Sequence, residues 1–247
     1  MIEQSLEDAL YAIVTQNPMI FLDYDGTLVP IIMNPEESYA DAGLLSLISD
    51  LKERFDTYIV TGRSPEEISR FLPLDINMIC YHGACSKING QIVYNNGSDR
   101  FLGVFDRIYE DTRSWVSDFP GLRIYRKNLA VLYHLGLMGA DMKPKLRSRI
   151  EEIARIFGVE TYYGKMIIEL RVPGVNKGSA IRSVRGERPA IIAGDDATDE
   201  AAFEANDDAL TIKVGEGETH AKFHVADYIE MRKILKFIEM LGVQKKQ

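Results

Sequence analysis

The chain has 247 residues, which is enough for one large domain or two smaller ones with a real hydrophobic core. Apolar residues make up 46% and charged residues 27%, and no apolar run reaches the roughly 18 residues that span a bilayer. The net charge of −8 is a weak argument against nucleic acid as a partner, and the acidic N-terminus lacks the basic start of a signal peptide. We therefore expect a cytoplasmic protein with no membrane and no nucleic-acid partner.

Helix and strand patterns alternate from the start of the chain to about residue 80. Short, fully apolar runs are typical of strands that are covered on both faces, as in a parallel sheet. The predicted elements are a helix with apolar positions over 6–13, a strand over 19–22 that ends at Asp23, a helix over 44–51, a strand over 57–60, a helix that opens at Ser64-Pro65, a strand over 77–81 and a hairpin that turns at Asn89-Gly90.

The pattern changes between about residues 103 and 172. The predicted elements are a helix over 105–116, strands over 122–126 and 129–135, a helix from about 144, and strands over 159–163 and 166–171 joined by a turn at Gly164-Lys165. The order α-β-β-α-β-β predicts an antiparallel sheet with helices on one side, which would form a domain of its own.

Alternation of helix and strand resumes after Gly174. The predicted elements are a helix from about 177, a strand over 190–193, a helix over 198–204, a strand over 210–214 and a last helix over 231–241. The simplest architecture is an α/β domain with a doubly wound, mainly parallel, Rossmann-like sheet, interrupted by an inserted α+β domain. The predicted boundaries are residues 1–102 and 173–247 for the α/β domain and 103–172 for the insert.

Charged and hydroxyl side chains follow three of the predicted parallel strands, at the sheet edge where such folds bind ligands. These groups are Asp23 with Asp25, the segment Thr61-Gly62-Arg63, and the run from Gly194 to Glu200. A fourth candidate, Lys177, lies at the start of a predicted helix. Together, in this order, they are what a phosphate site on this architecture would require.

Five of these side chains are carboxylates: Asp23, Asp25, Asp195, Asp196 and Asp199. Like charges ~4 Å apart repel by roughly 4 kcal/mol at an effective dielectric constant near 20, so a nearby cation is needed if all are to ionise. A set of oxygen ligands without His or Cys favours Mg²⁺ over zinc. The predicted cofactor is therefore Mg²⁺.

The spacing Asp23-Tyr24-Asp25-Gly26 divides the work between two carboxyl groups. Gly26 allows the chain to turn, so Asp23 can face a phosphorus atom as a nucleophile while Asp25 reaches the bridging oxygen as an acid and then a base. The hydroxyl of Thr61 and the N–H groups near Gly62 can hold phosphate oxygens. Lys177 can offset charge in the transition state.

At these residues the chain resembles the haloacid dehalogenase superfamily of phosphatases. The likeness covers four motifs: Asp23-Tyr24-Asp25-Gly26-Thr27, Thr61-Gly62-Arg63, Lys177 and Gly194-Asp195-Asp196. It implies a nucleophile at Asp23, an acid/base at Asp25, phosphate binding at Thr61 and Lys177, and Mg²⁺ held by Asp23, the Asp25 carbonyl and Asp195. Asp196 and Asp199 would support the site by orienting Lys177 or a metal-bound water. The insert resembles the type 2 cap domain of this superfamily.

A second resemblance, to the trehalose-6-phosphate phosphatase family, spans nearly the whole chain. It rests on Asp23 to Leu28 followed by Pro30-Ile31, on His82-Gly83, on Lys127 before Leu129-Ala130-Val131, on Glu169-Leu170-Arg171 before Asn176-Lys177-Gly178, and on Gly194 to Glu200 ending at Phe203. It implies that Lys127 and Glu169 reach sugar hydroxyls, with Arg171 near the domain junction. The expected substrate-binding set is Asp23, Tyr24, Asp25, Gly62, Arg63, His82, Lys127, Glu169 and Arg171.

Three questions stay open at this stage. His82 could contact the substrate or merely cap a strand. The substrate could be trehalose 6-phosphate or another sugar phosphate, such as sucrose phosphate, mannosyl-phosphoglycerate or a smaller sugar phosphate. A phosphomutase would differ by returning the phosphate to the sugar, which the sequence does not show. A binding protein that has lost catalysis is the rival from another class, and the intact Asp23, Asp25, Lys177 and Asp195 argue against it. The expected partner is a small-molecule sugar phosphate, and no obligate protein partner is evident from the sequence.

Overall fold

The structure, a computed structural model, describes residues 3–32, 34–136, 138–164 and 166–244. The chain forms two compact units. Unit 1 consists of Met1–Val93 and Asn176–Gln247, and unit 2 is Tyr94–Val175. The predicted insert, residues 103–172, lies within unit 2, and the assignment of domains stays a prediction.

Helices and strands alternate along most of the chain. The α-helices of the described ranges are α1 (Gln4–Val14), α2 (Ala42–Lys52), α3 (Pro65–Phe71), α4 (Val104–Thr112), α5 (Trp115–Asp118), α6 (Lys143–Phe157), α7 (Lys177–Arg185), α8 (Ala197–Ala205) and α9 (Tyr228–Gln244). The strands are β1 (Met19–Asp23), β2 (Thr57–Val60), β3 (Asn77–Cys80), β4 (Cys85–Ile88), β5 (Gln91–Tyr94), β6 (Arg123–Lys127), β7 (Ala130–His134), β8 (Glu160–Tyr163), β9 (Ile167–Arg171), β10 (Ala190–Gly194), β11 (Leu210–Val214) and β12 (Phe223–Val225).

The sheet of unit 1 has eight strands in the order β12-β11-β10-β1-β2-β3-β4-β5. Pairing is parallel from β12 to β3 and becomes antiparallel between β3 and β4. Strand β1 lies near the centre, with Met19 opposite Ala190 on one side and Ile20 opposite Thr57 on the other. Every residue of β1 is buried, as the fully apolar run predicted. The predicted α/β fold with a mainly parallel sheet is confirmed.

Local signals in the sequence placed helix α3 correctly. Ser64 Oγ accepts a hydrogen bond from the Glu67 N–H (3.1 Å), and Glu67 Oε2 accepts one from the Ser64 N–H (2.8 Å). This reciprocal pair satisfies two backbone donors that the helix itself cannot. Pro65 occupies the first turn, where its missing N–H costs nothing.

Unit 2 contains a four-stranded antiparallel sheet in the order β6-β7-β9-β8, on which α4 and α6 pack. The prediction of a single helix over 105–116 is wrong, because two helices, α4 and α5, occupy that stretch. The end of α4 is pinned at Thr112, whose hydroxyl donates to the Ile108 carbonyl (2.8 Å) and accepts from the Tyr133 hydroxyl (3.1 Å). The predicted turn at Gly164-Lys165 includes Lys165, which lies outside the described residues.

No helix within the described ranges is long and apolar enough to cross a membrane.

Candidate active site

The centre of the site lies where two neighbouring parallel strands end. Asp23 is the last residue of β1, and Asp195 follows directly after β10. The two strands are in register at Leu22 and Ala193, so their carboxyl ends bring both aspartates to the same edge of the sheet. Sequence reasoning placed both residues here from strand ends alone.

Gly26 makes room for Asp195. Its φ is +89°, a left-handed conformation that residues with a Cβ rarely adopt. A Cβ built at this position would lie 2.1 Å from a carboxylate oxygen of Asp195. The glycine of the motif is therefore needed both for the turn and for the approach of a carboxylate from β10.

Lys177 joins the same cluster from the first turn of α7. The Asn176 side chain caps this helix by accepting a hydrogen bond from the Ser179 N–H (2.8 Å). This cap fixes the start of the helix at Lys177. The Lys177 ammonium lies 2.8 Å from Asp23 Oδ1 and 2.8 Å from Asp199 Oδ1. Its side chain is only 2% exposed. Burial opposes the charge, but Asp199 and Asp23 raise the pKa of Lys177 well above its usual value, so the ammonium stays protonated.

Both carboxylate oxygens of Asp199 accept hydrogen bonds from neighbouring residues. Oδ1 accepts from Lys177, while Oδ2 accepts from the N–H groups of Asp195 (3.1 Å) and Asp196 (3.2 Å). Asp196 caps α8, with its Oδ1 accepting from the N–H (2.8 Å) and the hydroxyl (2.6 Å) of Thr198. Burial acts in the opposite direction, but the charge of Lys177 and the bond from Thr198 lower the pKa of Asp196. Asp196 and Asp199 therefore hold the loop after β10 in place.

The carboxyl groups of Asp23, Asp195 and Asp199 outnumber the Lys177 ammonium, which pairs with two of them. Burial raises the pKa of Asp23 to about 8, with Lys177 opposing the shift and Asp195 adding to it. Burial, Asp196 and Asp199 raise the pKa of Asp195 to about 6. One oxygen each of Asp23, Asp195 and Asp199 lie within 4.8 Å of one another. An oxygen-only set of carboxyl groups fits a hard divalent cation.

Lys213 is a part of this site that sequence reasoning missed. It is buried on β11, and its ammonium donates to the Asp195 backbone carbonyl (2.6 Å) and lies 3.1 Å from Glu200 Oε1. The sequence did contain a signal for Lys213, because this residue lies near the end of a correctly predicted strand. Its effect is to fix the backbone that carries Asp195.

Among the described hydrogen bonds, none joins the Asp25 side chain to Asp23, Lys177 or Asp199. Its carboxylate forms a two-point ion pair with Arg63, from Nε to Oδ2 (2.6 Å) and from Nη2 to Oδ1 (2.7 Å). Oδ1 also accepts from the Ser38 hydroxyl (3.0 Å). Tyr24, which precedes Asp25, is fully buried, and its hydroxyl donates to the Ser38 carbonyl (2.7 Å). The ring of Tyr24 is thus packed in the core, and its predicted contact with substrate stays a prediction.

The second motif lines the neighbouring strand end. Thr61 follows β2 and is buried, and its Oγ1 accepts from the Arg63 N–H (3.1 Å), which leaves the hydroxyl hydrogen available as a donor. A Cβ on Gly62 would lie 2.3 Å from His82 Nε2, so the imidazole packs directly over this glycine. His82 N–H donates to the Thr61 carbonyl (3.0 Å). The structure therefore brings His82 beside the predicted phosphate-binding segment, and its contact with substrate stays a prediction.

The remaining predicted residues lie in unit 2. Lys127 ends β6 opposite Ala130, and Glu169 is buried in β9 (3% exposed). Arg171 pairs with Glu160 on the neighbouring strand, and its guanidinium lies 4.7 Å from the centre of the Tyr162 ring. Their predicted contacts with a sugar stay predictions.

The fold is shared with a known class of proteins. A haloacid dehalogenase-like hydrolase from Bacteroides thetaiotaomicron superposes with a TM-score of 0.63 at 16% identity, covering 91% of this chain and 99% of that one. At this identity the likeness shows the fold, which is that of the haloacid dehalogenase-like hydrolases. The family model described as trehalose-phosphatase matches residues 21–228. The chain belongs to the trehalose-phosphatase family.

Individual relatives agree with this family. A bifunctional trehalose-6-phosphate synthase/phosphatase from Thermoproteus tenax is 32% identical over 235 residues, which cover 88% of this chain and 31% of that protein. The C-terminal domain of the C. albicans trehalose-6-phosphate phosphatase superposes with a TM-score of 0.79 at 20% identity, covering 95% of this chain and 96% of that one. The chain spans 31%, 26% and 29% of the lengths of three curated relatives that it matches.

Proposed function

We propose that the protein hydrolyses trehalose 6-phosphate to trehalose and inorganic phosphate, with Mg²⁺ bound at the carboxylate cluster. The observation that carries the proposal is the buried cluster of Asp23, Lys177 and Asp199 at the end of β1, in a chain of the trehalose-phosphatase family. A buried carboxylate held by a lysine beside further acids fits phosphoryl transfer through an aspartate nucleophile.

The reaction then has two displacements. In the first, a carboxylate oxygen of Asp23 forms a bond to phosphorus as the bond from phosphorus to the sugar oxygen breaks, and Asp25 gives a proton to that leaving oxygen. In the second, a water molecule gives a proton to Asp25 and attacks phosphorus, while the Asp23 carboxylate leaves. Each displacement is easier than a direct attack by water, and the proton returns to Asp25 at the end.

Other groups in unit 1 offset or orient charge. The Lys177 ammonium holds Asp23 and neutralises charge that develops on the phosphoryl oxygens, and the Thr61 hydroxyl donates to one of these oxygens. Asp23, the Asp25 carbonyl and Asp195 would hold Mg²⁺, while Asp199 is already committed to Lys177 and to backbone N–H groups. When bound, the ion supplies electrostatic stabilisation of the transferring phosphoryl group.

The choice of sugar belongs, in this proposal, to residues 103–172, acting as a type 2 cap domain. Lys127 and Glu169 would bind sugar hydroxyls, and Arg171 would support them. The support is the resemblance of these positions to the family pattern. The proposal also includes action in the cytoplasm, on a small-molecule sugar phosphate and without an obligate protein partner.

A phosphate-release assay over a series of sugar phosphates tests the function. We expect release from trehalose 6-phosphate in Mg²⁺, loss of release in EDTA, and recovery when Mg²⁺ is restored, because the carboxylate cluster needs a divalent cation. Sucrose phosphate, mannosyl-phosphoglycerate and glucose 6-phosphate are the comparison substrates. A higher kcat/KM for one of these would reassign the substrate. Isomerised sugar phosphate without free phosphate would indicate a mutase, and no turnover of any substrate would indicate a binding protein.

The role of unit 2 in specificity has its own test. We expect Lys127→Ala and Glu169→Gln to raise KM for trehalose 6-phosphate by roughly 10-fold or more, the effect of about 1.4 kcal/mol of lost binding. The KM for p-nitrophenyl phosphate should change little, because this substrate has no sugar. Lys145→Ala, an exposed lysine on α6, serves as the matched control. Equal rises for both substrates would remove these residues from sugar recognition.

A further inference from the structure

The two carboxylate oxygens of Asp25 accept different numbers of hydrogen bonds. Oδ1 accepts two hydrogen bonds, from Arg63 Nη2 and from the Ser38 hydroxyl, whereas Oδ2 accepts one, from Arg63 Nε. A carboxylate oxygen has about two acceptor sites, so Oδ1 is filled by these partners and Oδ2 keeps one site open. The Asp25 side chain is 35% exposed.

Arg63 is occupied in a way that does not suit a phosphate ligand. An arginine holds a phosphate best with two parallel N–H groups of one edge of the guanidinium. The edge made by Nε and Nη2 is used on Asp25, and Nη2 also donates to the Pro35 carbonyl (3.0 Å). With one Nη2 hydrogen on Asp25 and one on Pro35, neither edge that contains Nη2 is available for a two-point contact.

Packing fixes the guanidinium in this orientation. The Arg63 side chain is 10% exposed, and its guanidinium carbon lies 4.5 Å from the centre of the Phe71 ring. Ser38 is also held, because its carbonyl accepts from the buried Tyr24 hydroxyl. The two partners of Asp25 are therefore anchored to the core, and their hydrogen bonds fix the orientation of the Asp25 carboxylate.

We propose that Arg63, assisted by Ser38, is a positioning residue for Asp25 and not a ligand of the substrate phosphate. Arg63 and Ser38 turn Asp25 so that Oδ2 is the oxygen that gives a proton to the leaving group and later takes one from water. The inference rests on the proposed phosphatase function, and it replaces the expectation that Arg63 binds substrate.

The two possible roles of Arg63, positioning Asp25 or binding the phosphate, predict different effects of the leaving group on the activity of an Arg63 variant. A sugar alkoxide is a poor leaving group and needs a proton from Asp25, whereas p-nitrophenolate leaves without one. A positioning residue for the acid therefore affects the sugar substrate far more than the aryl substrate. A phosphate ligand affects both equally, because both carry the same phosphate.

The test compares kcat/KM of Arg63→Met with both substrates in Mg²⁺. We expect a fall of roughly 100-fold for trehalose 6-phosphate, at the lower end of what general acid catalysis contributes, and of no more than about 3-fold for p-nitrophenyl phosphate. Inhibition by inorganic phosphate should be unchanged. Arg63→Lys, which keeps the charge and one contact, should recover part of the loss. Ser38→Ala should show the same substrate dependence at smaller size, with Arg63 still packed in place.

A double-mutant cycle with Asp25→Asn isolates the coupling. If Arg63 acts through Asp25, the variant with both Asp25→Asn and Arg63→Met should be no slower than Asp25→Asn alone. Equal losses for both substrates with weaker phosphate inhibition, or losses that multiply in the double variant, would overturn the inference while the phosphatase function stands. A wild-type protein that releases phosphate from neither substrate would overturn the function and this inference with it.

Discussion

Asp23→Asn is expected to lower kcat for phosphate release by at least ~10⁴-fold, a barrier increase of about 5.5 kcal/mol, because the amide cannot form the covalent intermediate. The fold should survive. Asn has the same shape, and although it loses an ion pair with Lys177, it also removes a buried charge that lies close to Asp195. We expect the free energy of unfolding to fall by about 0.5–3 kcal/mol, the range of most single substitutions, because Lys177 keeps Asp199 as its second partner.

Three measurements decide this prediction. Phosphate release gives kcat, urea denaturation gives the free energy of unfolding, and mass spectrometry of acid-quenched protein detects a phosphoryl adduct, which should form on the wild type only. Asp207→Asn, which changes an exposed aspartate of the same unit, is the matched control and should keep full activity. Activity of the Asp23 variant within 100-fold of the wild type, or an adduct that persists in it, would mean that Asp23 is not the nucleophile.

Lys177→Met has the largest expected effect on stability. The ammonium is the cation shared by the buried Asp23 and Asp199 carboxyl groups, and removing it leaves both groups without this partner. Breaking a buried ion pair from one side typically costs about 3–5 kcal/mol, and we expect a loss in that range. Activity should disappear as well, because Lys177 also neutralises charge in the transition state.

A second substitution separates the two effects. In a variant with both Lys177→Met and Asp199→Asn, one of the stranded carboxyl groups is gone, so we expect the free energy of unfolding to recover by about 1–3 kcal/mol, the cost of an unsatisfied buried group. Activity should not recover. Urea denaturation in EDTA measures the stability without interference from metal binding. A single variant as stable as the wild type, or a double variant that is active, would contradict the role given to Lys177.

Much of the fold was predictable because its signals are local. The apolar runs that form β1, β2 and β11 carry their own evidence, and Ser64 and Glu67 encode a helix start within four residues. From strand ends alone, the rule for parallel sheets brought Asp23 and Asp195 together across 172 residues of sequence (195 minus 23). Strand β12 was missed because it has only three residues, partly exposed, and depends on β11 for its pairing.

The partners within the site were less predictable, because they depend on three-dimensional packing. Ser38 lies in a loop with no periodic pattern, yet its hydroxyl reaches Asp25. Arg63 stands in a motif that suggests phosphate binding, and only the geometry reveals that its two-point contact is with Asp25. Lys213 could have been found, since a buried lysine near the end of a strand beside the site needs an acceptor, which is the Asp195 carbonyl.

The strand order of unit 1 has a consequence for the order of events during synthesis. Strand β1 emerges from the ribosome before its neighbour β10, which ends 171 residues later, at Gly194 (194 minus 23). At roughly 5–20 residues per second, β1 waits on the order of ten seconds or more with one apolar edge unpaired. Asp23 likewise meets Lys177 only when a segment 154 positions further on has been made. The nascent chain is therefore exposed to aggregation between the synthesis of β1 and that of β10, and this is the interval in which a chaperone would bind it.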